Sequence, residues 1–281
     1  MALENNFDSF LPPAMAQKAE ELGVRKANLP FFKVFMLAIL AGAFIALGAA
    51  FSTTTLAGST ALPYGVARML AGLAFSLGLI LVVVGGAELF TGNSLIVMAW
   101  ASGRIKTMAL LRNWLIVYLG NFVGSIGTAV LIFLARQYMN GNGSVGEIAL
   151  KTAVSKVQLG FLQAIVLGIL CNTLVCLAVW LTYSARQTAD KILAIIFPIT
   201  AFVAIGSEHS VANMYFIPLG LLIKQFDPAF VSGLESQINL SGLTWTSFLV
   251  NNLLPVTLGN IIGGSLLVGI FYWLIYLKKQ A

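Results

Sequence analysis

The sequence predicts an all-α integral membrane protein, with six transmembrane helices arranged as two inverted three-helix repeats and with the second and fifth helices broken. Of its 281 residues, 59% are hydrophobic and only 9% are charged. A soluble domain would carry about a quarter charged residues. The apolar segments are long enough to cross a bilayer, which takes roughly 20 residues of helix. Polar residues interrupt two of these segments at corresponding places.

Six apolar segments, separated by polar connections, follow one another at roughly 33–56, 65–103, 110–135, 157–183, 192–223 and 247–277. The second and fifth segments are longer than one span needs, but too short for two spans and a turn. The stretches "GGAELFTGNS" and "GSEHSVANM" lie partway along them. Each of the two segments is therefore predicted to be one helix with a break inside the membrane.

An internal repeat relates the two halves of the chain. The stretch "NWLIVYLGNFVG" from Asn113 matches "NLLPVTLGNIIG" from Asn252 at seven of twelve positions. Three spans in each repeat is an odd number, so the second repeat must be inverted in the membrane. Inverted repeats with paired broken helices indicate a permeation path near the bilayer midplane. The predicted repeats cover about 31–137 and 153–281.

These repeats form one predicted channel domain, 31–281, which follows a cytoplasmic amphipathic segment at 1–30. The six-span arrangement places eleven of the 16 Lys and Arg residues on the side of the termini. The excess of positive charge in cytoplasmic loops therefore predicts a multi-pass membrane protein with both termini in the cytoplasm. The same rule accounts for the net charge of +6 without a nucleic-acid partner.

The breaks carry the residues that suggest chemistry. "ELFTGN" and "EHSVAN" share a glutamate, Glu88 or Glu208, and an asparagine five residues later, Asn93 or Asn213. His209 is the only histidine of the chain and lies beside Glu208. An intramembrane titratable group next to a helix N-terminus indicates a site for an anion or a proton.

The same polar residues also have structural interpretations. In this interpretation, the two glutamates accept hydrogen bonds from backbone N–H groups that the breaks free, and Asn93 and Asn213 secure the breaks. Asn121 and Asn260 would join helices. The two cysteines are predicted to be packing residues rather than a disulfide. No cofactor or metal is predicted.

Three motifs resemble the formate/nitrite transporter family, and the formate channel branch most closely: "GAELFTGN", "EHSVANMYFIPLG" and "NNLLPVTLGNIIGGSLLVG". The resemblance covers essentially the whole chain. It implies an aquaporin-like protomer and a homopentamer with one substrate pore in each protomer. It also implies that the break at Leu89, Phe90 and Thr91 rearranges as a gate, and that the N-terminal segment is linked to gating.

The resemblance further implies roles for single residues. His209 and Thr91 would form the central site, with Glu208 beside them. The polar pore positions would be Lys156, at the outer start of the fourth span, Asn172 and Asn213. The remaining candidates are apolar constriction residues. Phe75 and Phe202 would match the outer constriction, Leu79, Leu89 and Val175 would match the inner one, and Phe90 is a further constriction candidate.

The predicted function is a pH-dependent channel, embedded in a lipid bilayer, for formate and related small weak-acid anions. A nitrite or hydrosulfide channel of the same family is the alternative, because the same pore chemistry serves each anion. A pore for neutral solutes lacks support, since the breaks carry no paired Asn-Pro-Ala. An intramembrane enzyme is disfavoured by the single histidine, and a scaffold would not need two matched polar breaks.

Overall fold

The computed structural model describes residues 9–234 and 236–278, and all regular secondary structure in these ranges is helical. The helices are α1 (Pro12–Ala27), α2 (Phe31–Leu56), α3 (Tyr64–Gly85), α4 (Gly92–Ala101), α5 (Thr107–Leu134), α6 (Ser144–Val157), α7 (Phe161–Ser184), α8 (Thr188–Ala204), α9 (Ser210–Phe226), α10 (Pro228–Ser232) and α11 (Ser247–Tyr276). Five of them, namely α2, α3, α5, α7 and α11, are long and apolar enough to cross a membrane.

The second and fifth apolar segments are interrupted where the sequence predicts breaks. The second segment consists of α3 and α4, and the fifth consists of α8 and α9. Gly86 ends α3 and Gly206 follows α8, with φ of 81° and 78°. A residue with a Cβ would be strained in this left-handed conformation, so glycine lets each helix stop abruptly.

The repeated motif of α5 and α11 owes its second glycine to close helix packing. A Cβ on Gly124 would overlap the carbonyl oxygen of Ile39 in α2. A Cβ on Gly263 would overlap the carbonyl oxygen of Ile169 in α7 in the same way. Small residues at these crossings let the helix backbones approach closely, as is common between membrane helices.

Two short helices outside the spans matter for the site. The N-terminal segment forms α1, whose buried face includes Met15 and Ala19; residues 1–8 of the predicted segment lie outside the described range. The connection between the third and fourth spans contains a further helix, α6. Lys156 therefore lies in the last turn of α6 rather than at the start of the fourth span, because α7 begins only at Phe161.

Candidate functional site

The first break is held by a cluster of four polar side chains. Lys26 of α1 forms an ion pair with Glu88, with Nζ 3.2 Å from Oε1, and donates to Oδ1 of Asn93 at 2.8 Å. The Asn93 amide donates to Glu88 Oε2 at 2.7 Å and to Asn113 Oδ1 at 2.9 Å. Asn113 donates in turn to the carbonyl oxygen of Lys26 at 3.1 Å. The buried carboxylate is therefore neutralised and hydrogen-bonded, as a charge at this depth requires.

The second break repeats this cluster with other residues. Lys156 of α6 forms an ion pair with Glu208, with Nζ 2.7 Å from Oε1. The Asn213 amide donates to Glu208 Oε2 at 2.6 Å and to Asn252 Oδ1 at 2.7 Å. Asn252 donates to the carbonyl oxygen of Lys156 at 2.9 Å. Asn213 thus secures its break, as predicted, and the lysines and asparagines, rather than freed backbone N–H groups, are the partners of both carboxylates.

Two further asparagines satisfy the broken backbone. Asn121 Oδ1 accepts a hydrogen bond from the N–H of Phe90 at 2.9 Å. Asn260 Oδ1 accepts one from the N–H of Ser210, also at 2.9 Å. Each asparagine also donates to a carbonyl of a neighbouring span and to a carbonyl of its break. They join helices as predicted, and they also replace the hydrogen bonds that a continuous helix would have made.

The two breaks meet at one side-chain contact. His209 Nε2 lies 3.1 Å from the hydroxyl oxygen of Thr91, and both side chains are buried. His209 is also the N-cap of α9, where its Nδ1 accepts a hydrogen bond from the N–H of Ala212 at 3.1 Å. Because Nδ1 is an acceptor, the neutral imidazole carries its proton on Nε2 and donates it to Thr91.

Two cavities approach this contact. The α6 cavity has a volume of about 80 Å³, and its walls include Lys156, Ser207, His209, Asn213, Phe75 and Phe202. The α1 cavity has a volume of about 310 Å³, and its walls include Lys26, Glu88, Asn93, Leu79, Leu89 and Lys191. Each cavity therefore holds the lysine of one break cluster.

Four of the predicted constriction residues line these cavities. Phe75 and Phe202 meet edge to face in the α6 cavity, with ring centroids 5.3 Å apart. Leu79 and Leu89 line the α1 cavity. Thr91 is fully buried and lines neither cavity. Apolar side chains thus line both cavities near the Thr91–His209 contact.

Three other predicted residues do not reach either cavity. Asn172 is fully buried, and its amide donates to the hydroxyl of Ser94 at 3.1 Å. The ring of Phe90 packs edge to face on Tyr118, with centroids 4.9 Å apart. Val175 is buried in the core between helices. In this conformation these side chains hold α4, α5 and α7 together and do not line the path.

Lys26 is a site residue that the sequence reasoning missed. Its signal lies in an alignment of 19–31 with 149–161, which places Lys26 opposite Lys156. The other identities in that alignment are Ala19 with Ala149, Val24 with Val154, Leu29 with Leu159, and Phe31 with Phe161. The alignment makes α1 the counterpart of α6.

Known proteins resemble this chain over its length. The sequence pattern of the family described as Formate/nitrite transporter matches residues 13–274. The formate channel FocA of Escherichia coli (strain K12) is 50% identical over 100% of this chain and 99% of its own length. A probable formate transporter of Methanothermobacter thermautotrophicus is 38% identical over 96% of this chain and 99% of its own.

Solved structures agree with the sequence relatives. A pentameric formate channel with formate bound is 47% identical and has a TM-score of 0.83, covering 88% of this chain and 98% of that one. A second structure, an FNT family ion channel, is 30% identical with a TM-score of 0.78, covering 93% of this chain and 98% of its own. The predicted resemblance is confirmed, and the chain belongs to the formate/nitrite transporter family, whose members are transporters and channels.

Proposed function

We propose that this chain forms a pH-dependent channel for formate and related small monovalent weak-acid anions. The observation that carries the proposal is the Thr91–His209 hydrogen bond, which lies between two apolar constrictions and two lysine-bearing cavities. A route of this kind offers hydrogen bonds at its centre and positive charge at its mouths. Relatives and a structural neighbour named as formate channels support formate as the substrate.

The proposed assembly is a homopentamer of six-span protomers, each built from two inverted repeats. The matched clusters around Glu88 and Glu208, with lysines from α1 and α6, support the inverted repeat. The pentameric formate channel supports the oligomer. With the termini in the cytoplasm of a bacterial cell, the α1 cavity faces the cytoplasm and the α6 cavity faces the outside of the inner membrane.

The cost of moving charge through apolar surroundings determines the transport step. A bare anion between Phe75 and Phe202 would lose its hydration, which is costly at membrane depth. In our proposal, the anion separates His209 from Thr91 and accepts a hydrogen bond from the Nε2–H of the imidazole, which can give up a proton only when Nδ1 is protonated as well. Formate that gains a proton becomes neutral formic acid, whose carboxyl group has a pKa of roughly 3.5–4, the usual range for such groups.

Lower pH affects this transport step through His209, whose Nδ1 caps the N-terminus of α9. A second proton on His209 must bind to Nδ1, which now accepts the Ala212 N–H. Protonation therefore breaks the cap and places a cation at a helix N-terminus, where the helix dipole is also positive. We expect a neutral imidazole to serve export or passive flow at neutral pH, and an imidazolium to bind the anion or supply its proton for uptake in acid.

The test uses proteoliposomes that contain the purified channel. Fluxes of formate, nitrite, hydrosulfide, chloride and glycerol are measured from about pH 5 to 8, a range that brackets a histidine titration. We expect formate flux to exceed the others and to change with pH in the wild type, but to be independent of pH in His209→Asn. An unchanged pH profile in that variant would overturn the role of His209. Preference for nitrite or hydrosulfide would keep the pore and change the substrate, and glycerol flux alone would overturn the anion pore.

A further inference from the structure

The α6 cavity contains a second basic side chain, which comes from the other half of the chain. Arg68 lies in the second turn of α3 and lines the cavity together with Lys156. Its Nη2 donates to the carbonyl oxygen of Val203 in the last turn of α8. The Nε–H of Arg68 is buried and has no hydrogen-bond partner. An unpartnered guanidinium N–H is costly to bury, so this geometry suits a ligand that accepts hydrogen bonds.

The α1 cavity shows the reciprocal arrangement. Lys191, in the first turn of α8, lines this cavity together with Lys26 of the first half. Lys18 of α1 lines it as well. Burial, and then the positive charges of Lys191 and Arg186, lower the pKa of Lys18, which indicates that these cations lie close enough to repel one another. The mouth of this cavity therefore concentrates positive charge.

Arg68 and Lys191 differ from the two lysines of the break clusters in their available charge. Lys26 and Lys156 each form an ion pair with a buried glutamate. Within residues 9–234 and 236–278, no carboxylate lies within ion-pair distance of Arg68 or Lys191. Arg68 in the α6 cavity and Lys191 in the α1 cavity, which Lys18 and Arg25 also line, therefore supply charge that can attract a solute anion.

The second pair does not follow from the internal repeat. With Glu88 aligned to Glu208, Arg68 aligns with Thr188, and Lys191 aligns with Ala71. Each mouth nevertheless receives one basic residue from the first part of the opposite broken helix. Because two different positions place the same charge at both mouths, a functional requirement explains these residues better than inheritance through the repeat.

Further unpartnered atoms mark the α6 cavity as a confined site. The hydroxyl of Ser207 and the amide oxygen Oδ1 of Asn213 are buried there without hydrogen-bond partners. The hydroxyl can donate to an anion, and the amide oxygen can accept from a protonated acid. The volume of about 80 Å³ exceeds the minimum space for one water and suits an anion of a few heavy atoms.

We propose that Arg68 with Lys156, and Lys191 with Lys26, form two anion-binding sites that receive a small monovalent carboxylate or oxyanion before it reaches the constrictions. The site in the α6 cavity is narrow and binds through hydrogen bonds, whereas the site in the wider α1 cavity attracts chiefly through charge. This inference rests on the proposed function, since it assigns two loading sites to that same pore.

The experiment measures formate currents in planar bilayers that hold the intact protein in one known orientation. Formate is added to one side at a time, and the half-saturating concentration is determined for each side. For Arg68→Gln, we expect this concentration to rise about tenfold or more on the α6 side only, as for loss of a charged hydrogen bond. For Lys191→Gln, we expect a rise of roughly two- to fivefold on the α1 side only, and added inert salt should reduce the difference.

Several variants separate binding from folding. Ser207→Ala removes an unpartnered hydroxyl and should raise the half-saturating concentration on the α6 side without changing unfolding. Arg68→Lys should recover part of the loss, because it restores the charge. Lys106→Gln is the control, since it removes an exposed positive charge from a residue that lines neither cavity. Unchanged values in Arg68→Gln and Lys191→Gln, or equal changes on both sides, would overturn the inference, whereas a wild type without formate current would overturn the proposed function.

Discussion

The two breaks share a hydrogen-bond plan but differ in the three residues that follow each glutamate. The first break continues with Leu89, Phe90 and Thr91, and the second continues with His209, Ser210 and Val211. The second break leads into a helix capped by the histidine side chain. The first leads into a 3₁₀ helix, Gly92–Ile96, which has no side-chain cap.

The different helix starts make the two breaks differ in how firmly they are held. A 3₁₀ helix has poorer hydrogen-bond geometry than an α-helix and often marks a point of movement. A capped α-helix start is more firmly held. On this comparison we propose that the break at His209 holds the fixed hydrogen-bonding chemistry and that the break containing Leu89 and Thr91 rearranges as the gate.

The largest expected effect tests the clusters that both breaks share. Glu208→Ala leaves a buried lysine without its carboxylate, which should lower the free energy of unfolding by about 3–5 kcal/mol. Glu88→Ala should cost less, about 2 kcal/mol. Lys26 is 25% exposed against 13% for Lys156, and Lys26 would keep its bond to Asn93. Denaturant unfolding in detergent measures both values, and an equal or larger loss in Glu88→Ala would contradict this asymmetry.

Amide hydrogen exchange sharpens the comparison directly. We expect residues 89–96 to exchange about tenfold faster than residues 209–216, which corresponds to about 1.4 kcal/mol of local opening. The physical reason is the uncapped 3₁₀ start of α4 beside the capped start of α9. Mass spectrometry of peptides from the intact protein supplies the rates, and faster exchange at the second break would reverse the assignment of the gate.

The cap of α9 can be separated from the contact between the breaks. His209→Ala removes both, whereas Thr91→Val removes only the side-chain contact and nearly preserves volume. His209→Ala should therefore be less stable than Thr91→Val by about 1 kcal/mol, the usual value of an N-cap. His209→Asn should recover most of that difference, because asparagine is a good N-cap. Equal unfolding energies for the Ala and Asn variants would show that the Nδ1 bond contributes nothing.

The smallest expected effect concerns a hydrogen bond outside the membrane, which contributes to the stability of the protein in acid. The Tyr138 hydroxyl donates to Asp227 at 2.6 Å, and this bond, followed by one from the backbone N–H of Phe230, lowers the pKa of Asp227. Because the pKa of Asp227 is lower in the folded protein than in the unfolded one, its carboxylate stabilises the fold at pH values above the unfolded pKa of about 3.9. This stability is lost as the pH falls through the folded pKa. Tyr138→Phe should shrink this loss of stability below pH 4 and leave flux between pH 5 and 8 unchanged. Thermal unfolding against pH provides the check.

Much of the fold was predictable because the hydropathy pattern and the internal repeat are both visible in the sequence. Apolar length located the spans, and the polar stretches inside two of them located the breaks. The motif repeated from Asn113 and Asn252 predicted that Asn121 and Asn260 join helices. These features were visible because a polar residue in hydrocarbon must have a local reason.

The rest was hidden for physical reasons. Lys26 lies 62 residues before Glu88, in a segment whose polarity is ordinary for a surface helix. The helix α6 was hidden for the same reason, since neither α1 nor α6 is apolar enough to stand out. On α7, every face is apolar, so a hydropathy pattern cannot tell which side faces the path. The pore roles of Asn172 and Val175 came from the family resemblance alone and stay predictions, and in this structure both side chains are buried between helices.

The contact between Thr91 and His209 has a consequence for selection. When a solute separates them, as we propose, it meets two donors, the freed imidazole N–H and the threonine O–H. A planar carboxylate has one oxygen for each, whereas a polyol brings more donors to a place that already has two. In the proposed pore, the same two side chains block the path and bind the solute, so binding of the solute and opening of the path are one event.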